Sequence, residues 1–430
     1  MKKIISMLLV LALSLALFGC GQADEASTTA APTEPLPPLQ VGYGRTDISP
    51  EPGMPLRGYG NTSNRLSDSV TEQLFTTCIA ITDETGKTIL LYHNDLCNTD
   101  EDVFDKIRED LSAATGVPFE QILVASTHTH SAVDISNVLA KNYTKQLYGW
   151  MLSAAETALA DRKEATIQVA EAYPQDLNWI RYYNYSDGSW GSGTLPKGAK
   201  RVSHTRETDN QLQMIRFVRE DAKDVFLVNW QGHPHREGAD DATNASSDIV
   251  GVMRRVLEQR DDDVLFAYFT GASGNVNNHS MISGVTTTKD HDEHGRALVE
   301  YMVAAEFHEV DIAPIQVIYH VEQVTSDDDK NRSYPFPLVV FSVGDIAFAM
   351  APYEMFDTSG QEIKEGSPFE MTFVSTCSNA SEGYLPTEEG FEADDSYEVG
   401  ATRVVKGSAE RMVEIYVDLL GQIYDLTNPQ

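Results

Sequence analysis

The sequence predicts an α/β protein, with a mixed β-sheet core flanked by helices in a single large domain. Apolar runs of strand length alternate along the chain with amphipathic stretches of helical period, which favours helices packed against a largely buried sheet. Apolar residues make up 41% of the 430 residues, an ordinary fraction for a globular protein. The sequence contains no internal repeat, and no second linker as distinct as the one near the N-terminus.

The first 20 residues have the pattern of a secretory signal peptide. Two lysines precede an apolar run from Ile4 to Phe18 that is too short to span a bilayer. Leu17-Phe18-Gly19-Cys20 resembles a bacterial lipobox, in which the cysteine is lipidated and becomes the mature N-terminus. We therefore expect a lipoprotein-type signal peptide over residues 1–20 with lipidation at Cys20. An ordinary signal peptide and a membrane-buried tail are the alternatives.

Residues 21–40 are rich in Ala, Thr and Pro, the composition of a flexible tether between lipid and domain. One acyl chain holds a protein only marginally at a membrane, whereas two or three chains hold it firmly. We therefore expect an extracytoplasmic, bacterial cell-membrane lipoprotein that contacts the membrane through its N-terminal lipid anchor. A secreted protein is the alternative.

The net charge argues against a nucleic-acid partner, and the cysteine spacing argues against a CxxC zinc site and against a disulfide between Cys78 and Cys97. The chain has 65 acidic and 32 basic residues and a formal net charge of −33, which argues against a nucleic-acid partner because phosphate binding needs clustered Lys and Arg. Beyond Cys20 the cysteines are Cys78, Cys97 and Cys377, and no CxxC zinc pattern occurs. The predicted hairpin places Cys78 opposite about His93, so a bridge to Cys97 is not expected and the thiols are interpreted as structural.

The remaining elements follow in chain order. Strands are predicted at residues 73–82, 88–95, 121–125, 225–230, 264–269, 338–343, 346–351 and 369–376. Helices are predicted at residues 102–115, 144–160, 246–259, 292–306 and 408–424. Residues 179–205 have no clear period and are interpreted as either a long loop over a site or a plain surface excursion.

Potential metal ligands or acid–base groups follow four of these strands. His128 and His130 follow strand 121–125, His233 follows 225–230, Glu354 follows 346–351, and Tyr384 lies in the loop after 369–376. Open α/β sheets place their sites beyond the strand ends. Two or three histidines with a carboxylate suit Zn²⁺ in a site that keeps one position for water. Each residue alone would more often be a surface or packing residue, but their shared position favours a metal site.

The ordered set of motifs resembles the neutral/alkaline ceramidase family, specifically its N-terminal catalytic domain. The similar segments are residues 41–50, 54–60, Thr127-His128-Thr129-His130-Ser131, 229–234, 269–277, 352–356 and 383–387. The resemblance covers about residues 41 to 425. It implies a ceramidase-like, metal-dependent hydrolase domain over residues 41–430.

The same resemblance implies roles for individual residues. It implies Zn²⁺ held by His128, His233, Glu354 and Tyr384. It also implies active-site positions for His130 beside the metal-bound water, for Arg181 in Asn178-Trp179-Ile180-Arg181, and for Tyr397 as a further tyrosine. Asp95, at the end of a predicted strand, is interpreted as either a partner of a ligand or a turn cap.

One segment departs from the family pattern. The family's GDVSP motif reads Gly274-Asn275-Val276-Asn277-Asn278 here, so Asn277 stands where the family has a serine proposed to take part in catalysis. An asparagine cannot be a nucleophile, although it could hydrogen-bond a substrate carbonyl.

The sequence therefore predicts a zinc-dependent amidohydrolase that cleaves an N-acyl amide bond, in a ceramide-like lipid or a related amide, with a zinc-activated water. A zinc esterase or peptide-amide hydrolase could use the same residues. A non-catalytic, ligand-binding surface lipoprotein is motivated by Asn277 and opposed by retention of the His, Glu and Tyr set. A phosphoester hydrolase is less favoured, because the sequence shows no second metal cluster and no basic phosphate cradle.

Overall fold

Two β-sheets that share one apolar core form the framework of the chain. The computed structural model describes residues 37–59, 65–236, 242–285, 287–329 and 331–428, which fall within one compact unit. The predicted signal peptide, the lipidation site Cys20 and the tether as far as residue 36 lie outside the described residues, and they stay predictions.

The elements are distributed along the whole described chain. The strands are β1 (Leu39–Asp47), β2 (Leu56–Arg57), β3 (Ser69–Glu72), β4 (Phe75–Asp83), β5 (Thr88–Asn94), β6 (Ile122–Ser126), β7 (Ala132–Val133), β8 (Lys163–Ala172), β9 (Trp179–Ile180), β10 (Tyr183–Tyr185), β11 (Trp190–Gly191), β12 (Arg201–His204), β13 (Leu212–Arg219), β14 (Asp224–Trp230), β15 (Asn244–Ser246), β16 (Val264–Thr270), β17 (Val276–Asn277), β18 (His308–Val310), β19 (Gln316–Thr325), β20 (Ser333–Val343), β21 (Ile346–Met350), β22 (Glu354–Met355), β23 (Met371–Ser375) and β24 (Tyr384–Leu385). The helices are α1 (Glu101–Thr115), α2 (Lys141–Ala160), α3 (Asp248–Arg260), α4 (His291–Ala304), α5 (Asp357–Gly366), α6 (Glu388–Phe391), α7 (Tyr397–Ala401) and α8 (Ser408–Thr427).

The larger sheet has nine strands in the order β16-β14-β13-β8-β1-β4-β5-β6, with β18 beside β8, and the smaller sheet has the order β19-β20-β21-β23. Ile79 and Leu91 of the larger sheet belong to the same buried cluster as Phe341, Phe348 and Phe373 of the smaller one. The rings of Phe341 and Phe348 stack with centroids 4.4 Å apart. Burial of this shared apolar surface is the main force holding the two sheets together.

The helices cover the outer faces of the two sheets. α1 and α2 pack on β4, β5 and β6, α3 and α4 pack on β14 and β16, and α8 packs on the smaller sheet. Gly44 allows α2 to approach β1 closely, because a Cβ there would lie 2.0 Å from the backbone oxygen of Ala154. This arrangement confirms the predicted class, a mixed sheet core flanked by helices in a single domain.

The strands that lead to the predicted ligands converge at their carboxyl ends. The pairs β5–β6, β14–β16 and β21–β23 are parallel. The hydroxyl of Thr270, the last residue of β16, donates to the carbonyl of Thr127 at 2.7 Å, and the Thr376 backbone N–H after β23 donates to the carbonyl of Thr270 at 2.9 Å. These bonds bring the segments after β6, β16 and β23 to one place.

Two local features differ from the expectations. Residues 179–205 carry four short strands, β9 to β12, rather than an irregular loop. Cys78 pairs across the hairpin with Tyr92, one residue from the expected His93, and the three described cysteines are free and buried. Among the described residues, no helix combines the length and the apolarity that a membrane crossing needs.

Candidate metal centre

Three predicted ligands bring their side-chain atoms together. Nε2 of His128 lies 3.1 Å from Nε2 of His233, and Oε2 of Glu354 lies 3.3 Å from each of these nitrogens. The two imidazoles are almost completely buried, and the carboxylate side chain is 14% exposed. The three atoms face a common point from three different strand ends, as the sequence predicts.

The hydrogen bonds of the two imidazoles fix their tautomers. Nδ1 of His128 lies 2.7 Å from the carbonyl of Cys97, and Nδ1 of His233 lies 2.8 Å from the carbonyl of Ser273. A carbonyl only accepts, so both Nδ1 atoms carry the proton and both Nε2 atoms of the neutral rings present lone pairs. At these distances two lone pairs and a carboxylate oxygen repel one another unless a proton or a metal cation lies among them. Burial alone would lower the pKa of His128, but Cys377 and Glu354 outweigh it and hold that pKa well above its usual range. The donor set therefore fits a metal ion such as Zn²⁺.

The backbone around His128 is held in an unusual conformation. The residue has φ 63°, in the left-handed region that favours glycine. Its N–H donates to the carbonyl of Leu96 at 3.0 Å, and the hydroxyl of the next residue, Thr129, donates to the carbonyl of Ser246 at 2.7 Å. Such a conformation costs about 1–3 kcal/mol and persists where its surroundings enforce it, which is typical of functional positions.

His130 lies beside this group without belonging to the three converging ligands. Its Nε2 is 3.3 Å from Nε2 of His128, and its ring packs edge-on to that of Tyr59 at 5.2 Å. Gly58 makes room for it, since a Cβ at that residue would lie 2.3 Å from Cα of His130. His130 is therefore placed where it can handle protons next to a bound ion.

Arg181 and two tyrosines form the opposite side of the site. Arg181 forms an ion pair through Nε with Glu398, which is fully buried, and its Nη2 donates to the carbonyl of Gly274 at 2.6 Å. Its guanidinium lies 5.4 Å from the ring centre of Tyr384 and 5.8 Å from that of Tyr397. The parallel pairing of β22 with β24 sets Tyr384 beside Glu354.

Asn277 lies at the edge of the site, bonded to a histidine. Its Oδ1 is 3.2 Å from Nε2 of His235, and the residue is 5% exposed. The following residue, Asn278, donates from Nδ2 to the carbonyl of His233 at 2.5 Å. The segment that departs from the family motif therefore supports a ligand and positions a second histidine.

These residues surround a cavity of about 550 Å³. Its lining includes His128, His130, Arg181, Glu354, Tyr384 and Tyr397, so six of the eight predicted metal and catalytic residues face one space. The other two, His233 and Asn277, contact lining residues directly. Their roles as ligands and catalytic groups stay predictions.

Burial and neighbouring charges set the protonation of the site. Burial lowers the pKa of His130 well below its usual range, and His128 and His233 lower it further. Burial alone would raise the pKa of Glu354, but His128 and His233 outweigh it and hold that pKa well below the usual range. Burial and then Glu354 raise the pKa of Tyr384 well above its usual value, while Arg181 opposes this shift. Near neutral pH these directions describe a neutral imidazole, a carboxylate and a neutral phenol.

The structure also shows residues that the sequence did not single out. Glu398 anchors Arg181, and His235, Tyr59 and Cys97 line the cavity. His235 lies in a His-Pro-His motif that could have identified it, and Tyr59 lies in the family-like segment 54–60. The thiol of Cys97 was interpreted as structural, and nothing local in the sequence marks Glu398. Asp95 pairs with Arg254 at 2.6 Å rather than with a ligand histidine.

The fold and the converging ligands define an α/β protein with a candidate metal centre at the ends of its strands. No protein-family model matches the chain, and no curated protein matches it. Among solved structures, the neutral ceramidase from Pseudomonas aeruginosa matches with a TM-score of 0.72 at 15% identity over 89% of this chain and 74% of that one. A ceramidase complexed with C2 matches with a TM-score of 0.74 at 14% identity over 90% of this chain and 76% of that one. The chain thus has the fold of neutral ceramidases, as the resemblance implies.

Proposed function

We propose that the protein is a zinc-dependent amidohydrolase that cleaves an N-acyl amide bond. The observation that carries the proposal is the approach of two imidazole lone pairs and one carboxylate oxygen within about 3 Å of one another beside a cavity. The fold shared with neutral ceramidases supports an amide as the bond that is cleaved.

The predicted site residues comprise four metal ligands and one histidine that transfers protons. His128, His233 and Glu354, with Tyr384, would hold Zn²⁺, which as a Lewis acid polarises a carbonyl and lowers the pKa of its water. His130 faces the cavity as a neutral imidazole, because burial lowers its pKa. It would accept a proton from the attacking water and return it to the leaving amine.

The opposite side of the cavity would stabilise negative charge on the substrate. Arg181 keeps its charge because Glu398 and Tyr384 outweigh the effect of burial and raise its pKa. Its guanidinium, with the hydroxyl of Tyr397, would bind the oxygen of the scissile carbonyl as charge develops there. Asn277 carries no nucleophile, and since its Oδ1 is bonded to His235, its Nδ2 is the atom left to donate to a substrate carbonyl.

We further propose that the substrate is a lipid amide of the ceramide class, and that a lipid at Cys20 holds the protein at the outer face of a bacterial membrane. Both proposals rest on the family resemblance and on the lipobox-like sequence. Hydrolysis of ceramide should then require vesicles or detergent. Comparable rates on short soluble amides or on esters would instead favour a peptide-amide hydrolase or an esterase. Radiolabelled palmitate incorporated into the wild type, but not into Cys20→Ala, would support the anchor.

The decisive first experiment measures metal content. We expect about one zinc per chain by mass spectrometry in the wild-type protein purified without chelator, the stoichiometry of a single catalytic site, and none in His128→Ala/His233→Ala. Zinc content would be followed by a screen of amides that includes ceramides. No metal in the wild type after incubation with zinc would overturn the mechanism.

A ligand-binding lipoprotein is the second candidate, because Asn277 replaces the serine of the family motif. A protein that holds its metal tightly but is inert towards a broad panel of amides and esters would favour that candidate.

A further inference from the structure

We infer that Cys97, His128 and His130 form a second metal position that overlaps the first and holds the protein in an inhibited state. The inference rests on the proposed function in one respect, since His128 is common to both positions. It concerns an ion additional to the zinc expected for activity.

Two groups of potential ligands occur side by side among the described residues. In the first, His128, His233 and Glu354 have ligand atoms within 4.8 Å of one another, and the same is true of Cys97, His128 and His130 in the second. Cys97 is 4% exposed and lines the cavity. Nδ1 of His130 is buried and has no hydrogen-bond partner within the described part of the chain. The second group is therefore a compact thiol and imidazole set that opens to the cavity.

Cys97 is tied to the metal centre through its backbone as well. Its carbonyl accepts the Nδ1 proton of His128 at 2.7 Å, so the loop that orients this imidazole also presents the thiol. The Cys97 residue and Arg57 both line the cavity. Ion binding there would release the thiol proton to solvent.

The two positions compete for His128, so an ion that enters the second position takes this ligand from the zinc, which keeps His233 and Glu354. Because Nδ1 of His128 donates to a carbonyl, its Nε2 is the one nitrogen able to bind an ion, and it can serve only one ion at a time. An ion on Cys97 and His130 would also occupy the imidazole proposed to transfer protons. Filling the second position would therefore remove both a ligand and the general base from the reaction.

Thiolate ligands select soft and borderline ions, whereas the first group offers nitrogen and oxygen. We therefore expect Zn²⁺ in excess, and Cd²⁺ more strongly, to enter the second position. Cys377 provides a matched control. Its Sγ lies 3.5 Å from Nδ1 of His128, a nitrogen that already donates to a carbonyl, so this thiol belongs to neither group.

The test is the ultraviolet charge-transfer band of a cadmium–thiolate bond, recorded while Cd²⁺ is added to the purified full-length protein. We expect the band in the wild type and in Cys377→Ser, its loss in Cys97→Ser, and its retention in His233→Ala, whose second group is intact. Absence of the band from the wild type, or its loss in Cys377→Ser instead, would overturn the inference. Loss of the band in His233→Ala would contradict a second, separate metal position, because Cys97 would then bind only an ion that is held by the first group.

Zinc inhibition gives a second readout. The concentration of excess zinc that halves amidase activity should rise at least about 10-fold in Cys97→Ser, by analogy with the loss caused by removing a residue that supports a metal ligand. An unchanged value would contradict the inhibited state. Failure of the proposed function would appear separately, as missing zinc or missing turnover at one equivalent of zinc, and the cadmium band does not depend on turnover. Circular dichroism of Cys97→Ser, with Cys97→Ala as a second variant, checks the fold.

Discussion

The cavity has two walls that are built differently. The metal wall comprises His128, His130, His233 and Glu354, and the arginine wall comprises Arg181, Tyr384, Tyr397 and Glu398. Residues of the metal wall follow β6, β14 and β21, which are strands of the two large sheets. Residues of the arginine wall lie beside or within β9, β24 and α7, which have two, two and five residues.

Different forces therefore hold the two walls. Sheet pairing and backbone carbonyls position the imidazoles of the metal wall. In the arginine wall, Glu398 takes this part, because its buried carboxylate binds Arg181 and accepts hydrogen bonds from Tyr182 at 3.0 Å and Ser396 at 3.2 Å. Metal binding should survive the loss of Arg181 or of its partner Glu398, while transition-state stabilisation should not.

Among substitutions that should leave zinc bound, replacement of His130 in the metal wall is expected to lower kcat most. His130→Ala should lower kcat by roughly 10²–10⁴-fold through loss of acid–base catalysis. Zinc content should remain near that of the wild type, because the other three side chains converge without it. Steady-state kinetics and metal analysis on the same preparation check this. Stoichiometric loss of zinc would instead make His130 a primary ligand.

Glu398→Gln tests the arginine wall alone. Without the carboxylate charge, Arg181 loses its ion-pair partner and its fixed orientation, so kcat should fall by about 10²–10³-fold, the cost of losing one oxyanion donor. Zinc content and KM should change little if the arginine acts in the transition state. Glu392→Gln is the control, since that carboxylate is exposed and lies outside the cavity lining. Zinc loss in Glu398→Gln would mean that the walls are not independent.

Gly58→Ala tests how tightly the metal wall is packed. A Cβ there would lie 2.3 Å from Cα of His130, so the histidine must move away. A shift of about 1 Å in a catalytic group can lower kcat by up to about 10²-fold. Gly53 also has positive φ but has nothing within 4 Å of the added Cβ, so Gly53→Ala reproduces the backbone strain without the collision. Equal effects of the two substitutions on kcat would show that strain, not contact with His130, is responsible.

The predictability of the two walls follows from the same difference. Each ligand of the metal wall stands beside an apolar strand run, so the local sequence marks His128, His233 and Glu354, and the observed strands lie within a few residues of the predicted ones. In the arginine wall, Arg181 and Glu398 are 217 residues apart and nothing local links them. The resemblance, not the residue pattern, pointed to Arg181 and Tyr397, and Glu398 was not found.

The fold shows the same limit. Amphipathic α1 was predicted within one residue of its observed start, because Phe104, Ile107 and Leu111 form one apolar face. Helix α5 was not predicted, since its ten residues include two glycines and few apolar side chains. The tertiary contact explains one of them, because a Cβ at Gly360 would lie 2.4 Å from that of Ala272.

The pH dependence of kcat/KM tests the protonation of His130 in the metal wall, whereas Arg181 in the arginine wall keeps its charge. Because burial and the neighbouring histidines lower the pKa of His130, its neutral form should persist as pH falls through about 6.5, the ordinary histidine value. A nearby bound cation would shift that pKa in the same direction, and Arg181 stays charged throughout. The profile should therefore be level through this range and decline only at lower pH. An acidic limb near the ordinary histidine value that disappears in His130→Ala would contradict this protonation.

The smallest effect is expected for the exposed edge of the arginine wall. Tyr397 is 59% exposed, and its observed contacts with Tyr384 and Arg181 involve the ring, which Tyr397→Phe retains. Loss of one hydrogen bond to the substrate, about 0.5–1.5 kcal/mol, should lower kcat by less than roughly 15-fold. Tyr384→Phe is the matched comparison, because the hydroxyl of Tyr384 lies beside Arg181 and Glu354 and hence near the expected ion. That variant should weaken zinc binding by about 10–100-fold in a chelator competition. If Tyr384→Phe left zinc affinity unchanged while lowering kcat, Tyr384 would belong functionally to the arginine wall, and three protein ligands would complete the metal centre.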